Sequence, residues 1–184
     1  NIRYESTEDL HEQIKQRLQD FDHSLSMFNP NSVISKINRN EDITTDSLFE
    51  AMYAEAQRVS HLSNGAFDIT VAPLVNAWGF GKNGALDDEA RRQLGGKERI
   101  DSIKAFVGYE KIHLTDSHLY KDDERITLDA SAIAKGYACD IVADLLRKNN
   151  CENLLVDIGG EVVLQGTNQQ GKPWRVGISR PTID

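Results

Sequence analysis

The chain has 184 residues, enough for one substantial domain with a hydrophobic core, and its 39% apolar and 27% charged residues are ordinary for a globular protein. Its net charge of -8, with no run of Lys or Arg, argues against sequence-independent nucleic-acid binding, because nothing offsets repulsion from the phosphates. The two cysteines, Cys139 and Cys151, form no CxxC pair and cannot build a structural zinc site alone.

The first third of the chain is predicted to be helical. Apolar residues from Leu10 to Leu25 recur at helical spacing after polar residues 6–9 that suit a helix start. Ser32 can cap a short second helix. A third helix is predicted to open at residues 45–47 and to close at Gly65, where a left-handed backbone suits glycine.

Residues 66–81 are apolar, carry few charges and have no clean period. Such a stretch either lines a cavity or forms an irregular part of the core, and composition alone favours the core. A short polar helix is predicted over residues 87–94, ended by Gly95 and Gly96.

The second half of the chain is predicted to form short strands around one helix. Residues 111–115, 119–121 and 125–128 have the pattern of antiparallel strands. Apolar residues cover much of the girth of a helix over 133–146, which predicts burial. Strands at 153–158, 161–165 and 174–179 complete a mostly antiparallel sheet packed with helices, and the fold class is α+β.

The junction before the 133–146 helix contains Asp129, Ser131 and Lys135. A helix start attracts anions, because its first N–H groups are unpaired and lie at the positive end of the dipole. Ser131 is the expected N-cap, and Lys135 could add a positive charge toward the same anion. The alternative is that Asp129 and Ser131 only cap the helix and Lys135 lies in solvent.

A second polar segment surrounds the glycine pair at residues 159–160. Asp157 and Glu161 flank it and could face a cavity or a metal, although a simple turn explains the pair fully. The sequence has no HExxH or GxSxG motif.

Four segments in order resemble the ApbE family of flavin transferases: residues 26–38, 65–81, 129–140, and 157–161 with 173–174. The most specific is Asp129 to Asp140. The resemblance covers nearly the whole chain and implies a single ApbE-like FAD-binding domain over residues 1–184, truncated at both ends.

The resemblance implies an enzyme that transfers FMN from FAD to a threonine of an acceptor flavoprotein, with Mg²⁺, and releases AMP. An FAD pyrophosphatase, which splits FAD into FMN and AMP, and a non-catalytic FAD-binding protein remain alternatives. A purely structural α+β domain would bind no flavin.

The resemblance also assigns site residues. Phe28 would lie near the adenine of FAD, and Ala66, Phe67 and Asp68 would line the FAD site. Asp129 and Lys135 would contact FAD, and the backbone carbonyl of Ala132 would bind Mg²⁺. No catalytic residue follows from the resemblance.

The family pattern extends beyond both ends of this sequence. A Gly-Thr strand would precede Asn1, and segments with most metal ligands would follow Asp184, so we expect residues 1–184 alone to be inactive or nearly so. Family members commonly work on the periplasmic or cell-envelope side of the inner membrane, so we expect a lipid anchor, absent from this chain, in the full-length protein. The sequence does not identify the acceptor protein, the oligomeric state or the oxidation state of the cysteines.

Overall fold

A computed structural model describes residues 1–80 and 97–178. The contacts of the chain divide it into two compact units, one of Asn1–Leu18 with the described residues from Lys135 onward, and one of Gln19–Ala134. The prediction of a single domain over residues 1–184 stays a prediction. The polar helix predicted over residues 87–94 lies outside the described residues.

The first unit is built on a three-stranded antiparallel sheet with the order β1-β4-β5, formed by β1 (Ile2–Tyr4), β4 (Leu154–Ile158) and β5 (Glu161–Gln165). The register pairs Ile2 with Val156 and Ile158 with Glu161. Leu154 and Val156 are fully buried. The sequence-predicted strands at 153–158 and 161–165 are therefore confirmed to within one residue.

The second unit contains helices and a two-stranded antiparallel sheet. Its elements are α2 (Val33–Asn38), α3 (Ser47–Leu62), α4 (Ala72–Ala77), α5 (Lys97–Lys104), a 3₁₀ turn (Tyr109–Lys111), β2 (Ile112–Thr115) and β3 (His118–Lys121). The side chains of Ser32 and Asp46 cap α2 and α3 by accepting from Ser35 N and Phe49 N. Gly65 has the expected left-handed backbone, with φ of 79°.

Two helices cross the border between the units. α1 (His11–Leu25) begins later than predicted, since the Asp9 carboxylate accepts from His11 N at 2.9 Å and organises the turn before it. α6 (Ser131–Lys148) carries the buried residues Val142 and Leu146, and its Cys139 Sγ donates to Glu161 O on β5 at 3.1 Å. Both cysteines are free and buried.

The observed antiparallel sheets and helices confirm the α+β class, but two predicted strands are wrong. Residues 125–128 are irregular, because the side chain of Asn38 replaces a neighbouring strand by bonding both backbone polar groups of Leu128. Residues 174–178 are also irregular, and only a single bridge from Thr167 to Pro173 remains before them. α4 was not predicted, because the 66–81 stretch has no helical period.

The Lys121 ammonium bonds to backbone carbonyls of the irregular segment around residues 124–126 and of α2. Its Nζ donates to the carbonyl oxygens of Ile126 at 2.9 Å, Ile37 at 3.1 Å and Glu124 at 3.4 Å. Burial lowers the pKa of this ammonium. All three of its N–H donors are therefore used inside the protein.

We expect Lys121→Met to destabilise the whole protein by about 1–3 kcal/mol, because buried carbonyls lose their donors while the apolar stem is kept. Chemical denaturation measures the loss. Lys104→Met is the matched control, since the Lys104–Asp101 pair is exposed and spans 3.6 Å. Equal stability of the two variants would contradict the role given to Lys121.

Candidate functional site

The Asp68 carboxylate organises the loop that follows Gly65. Its Oδ1 accepts from the backbone N and the hydroxyl of Thr70, each at 2.7 Å, and its Oδ2 accepts from Tyr109 N at 2.8 Å. The Thr70 hydroxyl oxygen, fully buried, also accepts from Gly108 N at 2.7 Å. Donors among the described residues thus occupy three of the roughly four acceptor positions of the carboxylate, which fixes its orientation.

Polar side chains on one face of α3 bond to the segment 109–112, which contains Tyr109, the partner of Asp68. Gln57 Nε2 donates to Tyr109 O at 2.8 Å, and the Tyr53 hydroxyl donates to Ile112 O at 2.9 Å. The His61 and Tyr109 rings meet edge to face with centroids 5.0 Å apart. Positions 53, 57 and 61 share a helix face because they are four residues apart. Burial raises the pKa of the Tyr53 phenol, so this group stays a neutral donor.

Asp129 lies next to the Asp68 loop. Its backbone N donates to Ile69 O at 2.6 Å, and its carboxylate Oδ1 accepts from Ser131 N at 2.8 Å. The structure therefore brings together two of the predicted FAD-contacting segments, the 66–68 loop and Asp129.

The start of α6 differs by one residue from the prediction. Ala130 O accepts from Ile133 N at 3.0 Å and from Ala134 N at 2.8 Å, so Ala130 occupies the N-cap position. Ser131 is instead the first helical residue. Ser131 and Ala132 are both exposed, and the first turn of the helix is accessible to an anion.

The remaining predicted residues of the second unit occupy exposed or half-buried positions. Phe28 is 84% exposed, and its loop is tied by Ser26, whose Oγ accepts from Phe28 N at 3.3 Å and whose O accepts from the Ser32 hydroxyl at 2.7 Å. Ala66 is exposed and Phe67 is half-buried. Among the described residues, no hydrogen bond or ring contact joins Phe28 to Asp68 or Asp129.

In the first unit, Lys135 contacts the predicted glycine turn. Its Nζ donates to Gly159 O at 3.3 Å, and a methyl group on Gly159 would lie 3.0 Å from Lys135 Cδ. Lys135 is exposed, and no salt bridge between described residues includes it. A carbonyl therefore orients the ammonium without neutralising its charge, which suits an anionic ligand.

The described residues do not form a metal site. Asp157 Oδ1 accepts from Gly160 N at 3.3 Å, as expected for a simple turn. Among the residues described, no group of three or more His, Cys, Asp or Glu side chains could hold a metal ion. Mg²⁺ requires a nearly octahedral set of oxygen ligands, so the carbonyl of Ala132 and its described surroundings do not fit a complete site. The assignment of Ala132 stays a prediction.

A cleft of about 1240 Å³ lies in the first unit. Its lining includes Arg3, Asp157, Lys172, Trp174 and Arg175. None of the residues predicted to contact FAD lines this cleft.

Sequence reasoning missed several residues that position the site. The Asp68-Ile69-Thr70 spacing is typical of a local Asp turn and could have identified Thr70. Tyr109 and Gly108 carry no local signal, because they bond residues about forty positions earlier in the chain. Asn38 lies in a resembling motif, but its bond to Leu128 spans 90 residues.

Comparison with known proteins agrees with the resemblance. A family model described as the ApbE family matches residues 1–184. The FAD:protein FMN transferase of Haemophilus influenzae is 35% identical over 185 residues, which cover 96% of this chain and 52% of that protein. The FAD:protein FMN transferase of Vibrio cholerae is 34% identical over 180 residues, covering 95% of this chain and 52% of that protein. The chain thus spans about half the length of these curated relatives.

Solved structures of ApbE proteins have a fold similar to that of this chain. The flavin transferase ApbE from Vibrio cholerae superposes with a TM-score of 0.86 at 34% identity, covering 98% of this chain and 60% of that one. The apo form of the flavinyl transferase ApbE from Pseudomonas stutzeri has a TM-score of 0.85 at 29% identity, covering 96% and 60%.

The contact between Gly159 and Lys135 can be tested with a matched pair of variants. Gly159 and Gly160 both have positive φ, of 61° and 93°, but only Gly159 has a neighbour that an added methyl would meet. Gly159→Ala and Gly160→Ala should each cost about 1–2 kcal/mol of stability from backbone strain. Only Gly159→Ala should displace Lys135, and it should weaken, roughly fivefold, binding of the FAD that the family resemblance implies for the whole protein.

Thermal denaturation and an FAD titration separate the two effects of these substitutions. An equal FAD affinity of the Gly159→Ala and Gly160→Ala variants would show that the position of Lys135 does not depend on Gly159.

Proposed function

Because this chain belongs to the ApbE family, we propose that the whole protein transfers FMN from FAD to a threonine of an acceptor flavoprotein and releases AMP. The bond that breaks lies in the pyrophosphate of FAD, between the FMN phosphorus and the bridging oxygen. The threonine oxygen attacks the FMN phosphorus and forms a phosphoester, the bridging oxygen leaves with AMP, and the hydroxyl proton is released.

One observation carries the proposal: Asp129, bonded through its backbone to Ile69, places the Asp68 loop beside the accessible start of α6. The positive end of the α6 dipole favours a pyrophosphate, which is a dianion. The Asp68 and Asp129 carboxylates are both anchored by backbone N–H groups, so they are oriented to accept bonds from neutral hydroxyl or amide groups of the ligand.

Lys135 supplies the positive charge in this proposal. It lies one helical turn after Ser131, and its exposed ammonium has no carboxylate partner among the described residues. A preorganised cation near a leaving phosphate stabilises the charge that develops as the bridging bond breaks. Phe28, with its ring in solvent, would stack on the adenine.

The threonine target, the release of AMP and two further parts of the proposal rest on the family resemblance alone. A requirement for Mg²⁺ is one, and we assign no step to the ion because the described residues supply no complete ligand set. A periplasmic or cell-envelope location with a lipid anchor is the other. No helix among the described residues is long and apolar enough to cross a membrane.

The test measures AMP release from FAD by the whole protein, with and without Mg²⁺ and an acceptor flavoprotein. We expect AMP release that requires Mg²⁺ and yields one covalently bound flavin on a threonine for each AMP. Lys135→Ala should lower the rate about 10- to 100-fold, the range for losing a hydrogen bond to a charged group. Lys148→Ala is the control, because it removes an exposed lysine at the other end of the same helix.

Other outcomes would select the alternatives. AMP release without flavin on the acceptor would indicate an FAD pyrophosphatase. Tight FAD binding without AMP release would indicate a non-catalytic FAD-binding protein, and no FAD binding would refute the proposed function.

A further inference from the structure

The side chain of Asn38 pairs with the backbone of Leu128 as a β-strand would. Its Oδ1 accepts from Leu128 N at 2.7 Å, and its Nδ2 donates to Leu128 O at 2.9 Å. Leu128 is fully buried, as are Ile126 and Ala130 on either side. An amide side chain offers a donor and an acceptor side by side in this way without having to bind a proton.

The pairing fixes the residue that follows it. Leu128 immediately precedes Asp129, whose N donates to Ile69 O and whose carboxylate accepts from Ser131 N. With Leu128 held on one side and Ser131 on the other, the Asp129 backbone has little freedom. Asn38 is itself fixed, because it is the last residue of α2 and the preceding carbonyl, that of Ile37, accepts from the Lys121 ammonium at 3.1 Å.

We propose that Asn38 is a positioning residue for the flavin site, which acts on FAD through the backbone of Leu128 and the carboxylate of Asp129. The proposal rests on the proposed function, since it assigns Asp129 a contact with FAD. Asn38 itself does not touch the ligand. Its loss should weaken FAD binding because the Asp129 carboxylate is no longer held in the binding geometry.

Asn38→Asp is the informative substitution. The shape is kept and Oδ1 still accepts from Leu128 N, but the second oxygen faces Leu128 O without a proton to donate. The matched control is Asn40→Asp, because Asn40 Nδ2 donates to the carbonyl of Glu124 in the same segment at 3.1 Å. Glu124 is exposed, and its carbonyl can bond water instead. Asp also tolerates the left-handed backbone of Asn40, whose φ is 59°.

A double-mutant cycle on FAD affinity separates positioning from general destabilisation. The whole protein is titrated with FAD as wild type, as Asn38→Asp, as Asp129→Ala and as the double variant. We expect Asn38→Asp to weaken FAD binding about tenfold in the wild-type background. In the Asp129→Ala background, it should change the affinity by less than about twofold, because the group through which it acts is gone.

Each outcome is decisive. An equal loss in both backgrounds, or an equal loss for Asn40→Asp, would overturn the positioning role while leaving the proposed function intact. Absence of FAD binding by the wild type would overturn the proposed function, and the positioning role with it. If Asn38→Asp does not fold, Asn38→Ser carries the same cycle, since its shorter side chain cannot make both bonds to Leu128.

Discussion

The buried segment from Ile126 to Ala130 must satisfy its backbone polar groups without a neighbouring strand, and the arrangement of the candidate site depends on how it does so. Unpaired N–H and C=O groups in the core are costly. Here the partners come from Lys121, from the Asn38 amide, from Ile69 O and from the first turn of α6. The same bonds that satisfy this backbone bring Asp129, the Asp68 loop and the start of a helix together.

On the neighbouring loop, the bonds of Asp68 likewise both satisfy the backbone and fix the position of a candidate site residue. Its carboxylate accepts from Thr70 and Tyr109, and Tyr109 is held in turn by α3. A carboxylate that is already oriented loses little freedom when a ligand binds. The second unit thus presents fixed acceptors. In the first unit, Gly159 O orients the Lys135 ammonium, and no salt bridge between described residues neutralises its charge.

Local sequence patterns predicted the elements whose stabilisation is local. The caps at Ser32 and Asp46, the left-handed Gly65 and the antiparallel pairs β2–β3 and β4–β5 all depend on residues a few positions apart. The prediction of a strand over residues 125–128 failed for a physical reason. An apolar alternating run indicates burial, but whether its backbone pairs with a strand or with a side chain depends on a residue 90 positions away.

In the candidate site too, features set by neighbouring residues could be predicted, and features set by distant contacts could not. The helix start and its nearby charged residues could be located from the sequence, since a helix start is marked by local residues, and the binding of an anion there stays a prediction. The roles of Asn38, Tyr109 and Gly159 could not, because each acts through a contact with a distant segment. The family resemblance pointed to these segments, and the structure shows what several of their residues hold in place.

A crystal structure of the whole protein with FAD would test the central claim most directly, namely that the start of α6 and Lys135 hold the pyrophosphate. We predict a phosphate oxygen within about 4 Å of Lys135 Nζ, the limit for an ion pair. FAD bound elsewhere, for example in the cleft beside Arg3 and Arg175, with Lys135 still turned to Gly159 O, would contradict it.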